Sequence, residues 1–147
     1  MTMIDKDQEQ KKQMPPDEYF TYLKSVSLEG IYLVDCSATY KPTAANSGNV
    51  VFEPTVASEF VGIEDGHARL RAKHTLTGRA GKAVLVKFRV EYDVILAFNS
   101  DIPQEFFEIY ARHNLPMQTI PFWREWIAST SARMPISPII VPLYVSP

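Results

Sequence analysis

The sequence predicts an α+β fold, because four segments with strand character precede two segments with helical character. The segments between His67 and Val94 alternate between apolar and polar residues, while the last third of the chain has a helical period. With 147 residues, of which 46% are hydrophobic, the chain is long enough to bury one core. We therefore expect a single domain over residues 18–147, preceded by a flexible polar tail over residues 1–17.

The first strand is followed by a long connection. Tyr22, Val26 and Leu28 share one parity, which is typical of a half-buried strand. The stretch from Gly30 to Gly48 begins with apolar residues and then contains a proline and several turn formers. Its length between two strands predicts a connection that crosses over the surface.

The next three strands are bounded by turn residues. Residues 51–63 have a β-rich composition, with Pro54 placed for a strand start or an edge strand. A turn at residues 64–66 leads into a hairpin whose own turn covers residues 78–81. One face of this hairpin is apolar and the other charged, which predicts two antiparallel strands with one buried face. The apolar face consists of Ala68, Leu70, Ala72, His74, Leu76, Val84, Val86, Phe88, Val90 and Tyr92.

Two helices are predicted after the strands. Pro103 lies at the start of the first, which we expect to stop at Pro116. The second, over residues 120–134, places its aromatic residues on one face, which we expect to pack on the sheet. Ala128 and Ala132 lie on the other side, where they would let a second helix approach closely, although alanine is also simply a good helix former. The aromatic face consists of Ile120, Phe122, Trp123, Trp126, Ile127, Thr130 and Met134.

The segment after the second helix, residues 135–147, is apolar and repeatedly interrupted by proline. Proline prevents it from continuing a sheet regularly, so its aliphatic side chains are candidates for a surface that handles the apolar segments of other chains. The alternative is that Ile139 to Val141 cover the domain's own core. Both interpretations are open from the sequence.

Charge and composition exclude several classes of function. Fifteen basic and seventeen acidic residues give a net charge of -2, so we expect neither a phosphate-binding stripe nor a nucleic-acid partner. A single cysteine, Cys36, and an N-terminus without an apolar run favour a cytoplasmic location. No window approaches the roughly 18 consecutive apolar residues that a membrane span needs, so we expect a soluble protein.

The sequence shows no catalytic or metal-binding constellation. His67, His74 and His113 lack the spacing that gathers metal ligands, and no residue marks Cys36 as a nucleophile. His74 lies on the apolar parity of its strand, where we expect a hydrogen-bonded core histidine. Arg124 and the glutamate after it do not face each other on a helix, so we expect an interface ion pair or a solvated edge there. We predict no enzymatic activity, no metal and no cofactor.

Four blocks together resemble the SecB family of protein-export chaperones over about residues 22–145. They are YLKSVSLEG in the first strand, FEPTV at residues 52–56, the hairpin between His67 and Val94, and NLPMQTIPFWREWIASTSARM with the proline-rich segment after it. Each block alone is weakly specific, and their order and spacing match the family. The resemblance implies a four-stranded antiparallel sheet with a crossover connection and helices packed on one face.

The resemblance also implies an ATP-independent holdase for unfolded polypeptides and preproteins in protein export. It implies a homotetramer, a dimer of dimers, with clients bound in apolar grooves between the crossover connection and the C-terminal region. Carried over to this sequence, the client-binding residues are Ile31, Tyr32, Leu33, Val34, Phe52, Ile139, Ile140, Val141 and Leu143. The residues expected at the oligomer interface are Trp123, Trp126, Ala128 and Ala132.

The match to the family has gaps that leave alternatives open. The family's last helix and acidic tail are not matched before Pro147, where the sequence ends. On the surface that presents carboxylates to the SecA motor in the family, Glu29 is kept, but Ser25 and Lys87 replace expected acidic residues. Contact with SecA through Glu29 is therefore weakly supported. One alternative is a SecB-like chaperone dedicated to one client, such as the antitoxin of a toxin–antitoxin system. Another is a small domain that binds a compact apolar ligand.

Overall fold

The computed structural model of the protein describes residues 14–41, 49–137 and 139–141. Within these residues the chain forms three helices and four strands. Their bounds are α1 Pro16–Ser25, β1 Val26–Tyr40, β2 Val50–Glu64, β3 His67–Ala80, β4 Ala83–Phe98, α2 Gln104–His113 and α3 Leu115–Ser131. The described residues after α3, which are 132–137 and 139–141, contain no helix or strand, and we call them the strap.

The four strands form one antiparallel sheet in the order β1-β4-β3-β2. β1 and β2 are consecutive in the chain but lie at opposite edges, which is the crossover topology that the sequence predicted. The connection is shorter than expected, since β1 is one strand that continues to Tyr40. Residues 31–34 therefore belong to an edge strand and not to the crossover, and residues 42–48 lie outside the described part.

The hairpin of β3 and β4 confirms the predicted alternation. On both strands, the residues of one parity lie under the helices and are buried. The residues of the other parity face away from the helices. A two-residue turn at Asp65 and Gly66 joins β2 to β3, and both residues have a positive φ, which is the conformation that such hairpin turns require. Pro54 lies in β2, an edge strand, where its missing N–H leaves the ladder to β3 intact.

The first element differs from the prediction, because residues 16–25 form a helix. Tyr22 and Leu23 follow Tyr19 by three and four residues, which is a helical spacing, and all three pack against the core. The Tyr19 hydroxyl also donates to Asn114 Oδ1 at the junction between α2 and α3. The predicted strand starts at Val26 and not at Tyr22, and α1 begins inside the predicted tail. Residues 1–13 lie outside the described part.

The boundary between the last two helices was also predicted wrongly. Pro116 does not stop a helix but stands in the first turn of α3, where a missing N–H breaks no helical hydrogen bond. The break lies at Asn114, directly after α2. Pro121, expected near a helix start, lies inside α3 on its exposed side.

The helices and the strap pack on one face of the sheet, which we call the covered face; the other is the open face. Near one end of the sheet α1 and α2 cover a cluster that includes Leu70, Phe106 and Phe107. Toward the other end α3 and the strap cover a second cluster around Phe88 and Ile127. None of the described helices is long and apolar enough to span a membrane.

Candidate functional site

The described helices and strap do not cover the full width of the covered face, and large apolar side chains are exposed at both edges. On β2, the side chains of Phe52, Val56 and Ile63 share the covered parity, yet each is exposed. On β1, Leu33 lies opposite Tyr92 on the same face and is also exposed. Such apolar surface at a sheet edge is a candidate for contact with another polypeptide.

The apolar surface at the β2 edge forms a groove together with the strap. The groove has a volume of about 400 Å³ and is open to solvent along the sheet edge. Its lining comes from the start of β2, the start of β4 and the strap, and consists of Val50, Phe52, Leu85, Val86, Ile136, Ser137, Ile139 and Ile140. We call it the β2–strap groove. It brings together three of the predicted client-binding residues, from segments that are more than eighty residues apart in the sequence.

The last three described residues of the strap, Ile139, Ile140 and Val141, are not equivalent. Ile139 is half-buried and Val141 is only 8% exposed, and both pack against the core cluster beneath α3. Ile140, between them, is 79% exposed. The two interpretations left open by the sequence, a client surface and a cover for the core, therefore apply to different residues of the strap. Val141 covers the domain's own core, so its assignment to the client-binding surface is corrected, whereas Ile140 is available to a partner.

Two side chains of α3 fix the backbone of the strap. The Arg124 guanidinium donates from Nε to the Val141 carbonyl at 2.7 Å, and the Ile139 amide donates to Ser131 Oγ at 2.8 Å. The anchors lie seven residues apart, about two helical turns, and thus on the same side of α3. They hold the residues on both sides of Ile140. Arg124 is half-buried and binds a backbone carbonyl of its own chain, so it does not lie at a solvated edge, and an ion pair across an interface stays a prediction.

The four residues of β1 that were predicted to bind clients do not lie at the β2–strap groove, because β1 is the opposite edge of the sheet. Ile31 is half-buried and packs on the core, and Tyr32 points to the open face opposite Asp93. Leu33 is exposed on the covered face, and Val34 is the extra residue of an irregularity in the pairing to β4. They form no single surface. Leu143 lies outside the described residues.

Trp123 is part of the core of the chain and is 2% exposed. Its ring stacks on His74 with a centroid distance of 5.4 Å and on Trp126 at 6.0 Å. A side chain already enclosed by its own chain has no surface left for a second copy, so its assignment to an oligomer interface is corrected. Trp126 and Ala128 are half-buried, and Ala132 is exposed.

His74 is the hydrogen-bonded core histidine that its strand parity predicted. Its Nε2 lies 2.7 Å from Thr119 Oγ1, and the Thr119 hydroxyl donates to the Leu115 carbonyl at 3.0 Å. Because that hydroxyl has one proton, the imidazole must be the donor in its bond to Thr119. Burial lowers the pKa of His74 from 6.5 to about 4, so the ring is neutral at pH 7.

The open face carries charges of both signs. Asp93 is 1% exposed and accepts hydrogen bonds from Arg69 Nη1 and from Arg71 Nε, both at 2.7 Å. Burial alone would raise the pKa of Asp93, but the two guanidinium groups more than offset it and hold the pKa below its ordinary value. Further pairs on this face are Lys73–Glu91 and Arg89–Asp35. The face is therefore not an acidic surface.

Glu29 is engaged by its own chain at the end of this face. Its Oε2 lies 2.7 Å from His67 Nε2, and both side chains are partly exposed. The described residues contain no group of three or more His, Cys, Asp or Glu side chains that could hold a metal ion.

Sequence reasoning missed several residues that shape the groove. Val50, Leu85, Val86 and Ile136 line it, but each has an ordinary place in an apolar pattern, and only the fold shows that they meet. The anchor Ser131 could have been found as a polar residue near the aromatic face of α3. Its partner at Ile139, however, depends on the path of the strap.

No protein-family model matches the chain, and no curated protein matches it. Among solved structures, a match with a TM-score of 0.72 and 12% identity covers 86% of this chain and 95% of the other. That structure is the Mycobacterium tuberculosis SecB-like chaperone Rv1957 in complex with a ChAD peptide from the Rv1956 HigA1 antitoxin.

The chain has a SecB-like fold. The match confirms the α+β class and the four-stranded antiparallel sheet with helices on one face. A second structure, a protein of unknown function from Streptococcus agalactiae, matches at 11% identity over 80% of this chain and 96% of its own, with a TM-score of 0.44. A score this low does not establish a common fold.

Proposed function

We propose that this protein is a SecB-like chaperone, a non-catalytic and ATP-independent holdase that binds non-native polypeptides in the β2–strap groove. The observation that carries the proposal is the position of Ile140, a 79% exposed side chain whose two neighbours are held in place by α3. It forms the groove together with Phe52. The SecB-like neighbour, which was solved with a bound peptide, supports a polypeptide as the ligand.

The chemistry of the groove suits an extended apolar segment of any sequence. Burial of an aliphatic or aromatic side chain contributes about 1.5–3 kcal/mol and has no directional requirement. The groove lies along β2, an edge strand of the described sheet, so an incoming chain also meets backbone groups that no described strand pairs with on that side. An open groove of this kind favours a polypeptide over a compact ligand.

The proposal is tested by suppression of the aggregation of an unrelated unfolded protein in the absence of ATP. The double variant Phe52→Asp/Ile140→Asp should lose most of the protection, because it places charges on both walls of the groove. Val51→Asp is the matched control, since Val51 is exposed on the same strand but on the open face, opposite Arg79. Equal protection by all three proteins would refute the groove as the client site.

A chaperone dedicated to one client is the second candidate, and one observation favours it. The peptide bound to the SecB-like neighbour comes from an antitoxin. The two candidates are separated by offering the purified protein several unrelated unfolded proteins and the product of any antitoxin gene beside its own. Protection of the antitoxin alone supports the dedicated role, and protection of all of them supports a general holdase.

A role in export and an assembly into homotetramers, dimers of dimers, belong to the same proposal, as does a cytoplasmic location. Contact with SecA has weak support, because the open face carries charges of both signs and Glu29 is paired with His67. Trp126, Ala128 and Ala132 keep some exposed surface for a second copy. Multi-angle light scattering of the purified protein tests the assembly, and a monomer would contradict it.

A further inference from the structure

Gly78 and Phe52 are cross-strand neighbours on the covered face, at the β2–strap groove. A Cβ atom at Gly78 would lie 2.7 Å from Val86 Cγ1 and 2.9 Å from Phe52 Cε1. Both distances are shorter than packed carbon atoms allow. The edge of the Phe52 ring therefore occupies the space that a side chain at position 78 would need.

We propose that Gly78 is a positioning residue of the β2–strap groove. It lets the Phe52 ring lie against β3, where the ring forms one wall and leaves the groove open to a bulky apolar side chain of the client. The inference rests on the proposed function, because it assigns Gly78 to the same client site.

A methyl group at position 78 must displace one of its two neighbours, and their burial decides which. Val86 is 1% exposed and is enclosed by the core cluster under α3 and the strap, so it has little room to move. Phe52 is exposed on one side and can swing away from β3. Gly78→Ala should therefore move the Phe52 ring and remove a wall of the groove while the core stays in place.

Gly62 provides the matched control. It also lies in a strand of this sheet, but a Cβ atom there would meet nothing within 4 Å. Both substitutions, Gly78→Ala and Gly62→Ala, reduce the conformational freedom of the unfolded chain equally. A difference between the two variants therefore reports the contact with Phe52.

The experiment has two readouts. Fluorine-19 NMR of 4-fluorophenylalanine introduced at position 52 follows the ring itself. Fluorescence anisotropy of labelled, reduced and carboxymethylated lactalbumin, which cannot refold, follows client binding. We expect Gly78→Ala to shift the fluorine resonance and to weaken binding about tenfold, which corresponds to about 1.4 kcal/mol. Gly62→Ala should change neither. In a Phe52→Ala background, Gly78→Ala should weaken binding no further.

Each other outcome is informative. An unshifted resonance in Gly78→Ala, or a loss of binding that adds in full to that of Phe52→Ala, would overturn the inference. If Gly78→Ala does not fold, the double variant Phe52→Ala/Gly78→Ala decides: recovery of folding supports the contact, and continued unfolding contradicts it. If the wild-type protein does not bind lactalbumin, the holdase proposal fails, while the fluorine resonance still tests the position of the ring.

Discussion

Arg124 Nε donates a hydrogen bond to the Val141 carbonyl at 2.7 Å and so ties the middle of α3 to the end of the described strap. Together with the bond between Ile139 and Ser131, this hydrogen bond makes the strap a fixed wall of the β2–strap groove.

Arg124→Ala should loosen the strap. A hydrogen bond from a charged donor contributes about 1.5–3 kcal/mol, and its loss lowers the free energy of local opening by a similar amount. Hydrogen exchange at the Ile139 amide should accelerate, and client affinity should fall. Arg112→Ala removes an exposed arginine from α2 and serves as the control. Unchanged exchange at Ile139 in Arg124→Ala would show that the strap does not depend on this bond.

Val141 and Ile140 should respond differently to substitution by aspartate, the first in stability and the second in client binding. Val141→Asp places a charge in the core and should lower the free energy of unfolding by at least about 3 kcal/mol. Ile140→Asp changes an exposed side chain and should stay within about 0.5 kcal/mol of the wild type while it weakens client binding. Urea unfolding and client titration measure the two effects. A large loss of stability in Ile140→Asp would place Ile140 in the core and out of the client site.

His74 should make the stability depend on pH on the acid side of neutrality. Its pKa is about 4 in the folded protein and 6.5 as the ordinary value, so between these values the unfolded chain binds more protons. The free energy of unfolding should therefore fall as the pH is lowered from about 6.5 to about 4, by up to about 3 kcal/mol.

Urea unfolding at a series of pH values tests this dependence. His74→Gln keeps a donor for Thr119 without a titrating ring and should flatten the curve, whereas His113→Gln, at an exposed position, should not. An unchanged slope in His74→Gln would mean that another group is responsible.

Asp93 should contribute more to the free energy of unfolding than the other charged side chains of the open face. Asp93→Ala leaves Arg69 and Arg71 without their shared partner. Removal of one partner from a buried pair costs 3–5 kcal/mol, and since these arginines are partly exposed we expect about 2 kcal/mol. Glu91→Ala, which removes a 3.9 Å contact to Lys73, should cost less than about 0.5 kcal/mol. Similar losses for both variants in thermal or urea unfolding would contradict this difference.

The sequence predicted elements whose pattern has one physical interpretation. Alternation in β3 and β4, the turn at Asp65 and the burial of His74 follow from the side-chain period of a strand with one covered face. Prediction from the sequence failed where one pattern fits two structures. Tyr22 and Val26 share a strand parity and also a helical spacing, and Pro116 can end one helix or begin another.

The groove depends on contacts that no local pattern contains. Phe52 and Ile140 meet only because β2 is an edge strand and because Arg124 and Ser131 direct the strap toward it. The sequence gives no sign of which of three consecutive strap residues faces the core. The resemblance to SecB pointed to the correct segments, and the division of roles between Ile140 and Val141 required the structure.

The central claim, that non-native polypeptides bind in the β2–strap groove, is tested most directly by site-specific photo-crosslinking. Benzoylphenylalanine is introduced separately at Ile140, at Val51 and at Tyr32, three exposed positions on the strap, on β2 at the open face and on β1. The proteins are irradiated with a labelled unfolded client. The account predicts a strong crosslink from position 140 and weak ones from positions 51 and 32. Crosslinks mainly from position 51 or 32, with none from position 140, would contradict it.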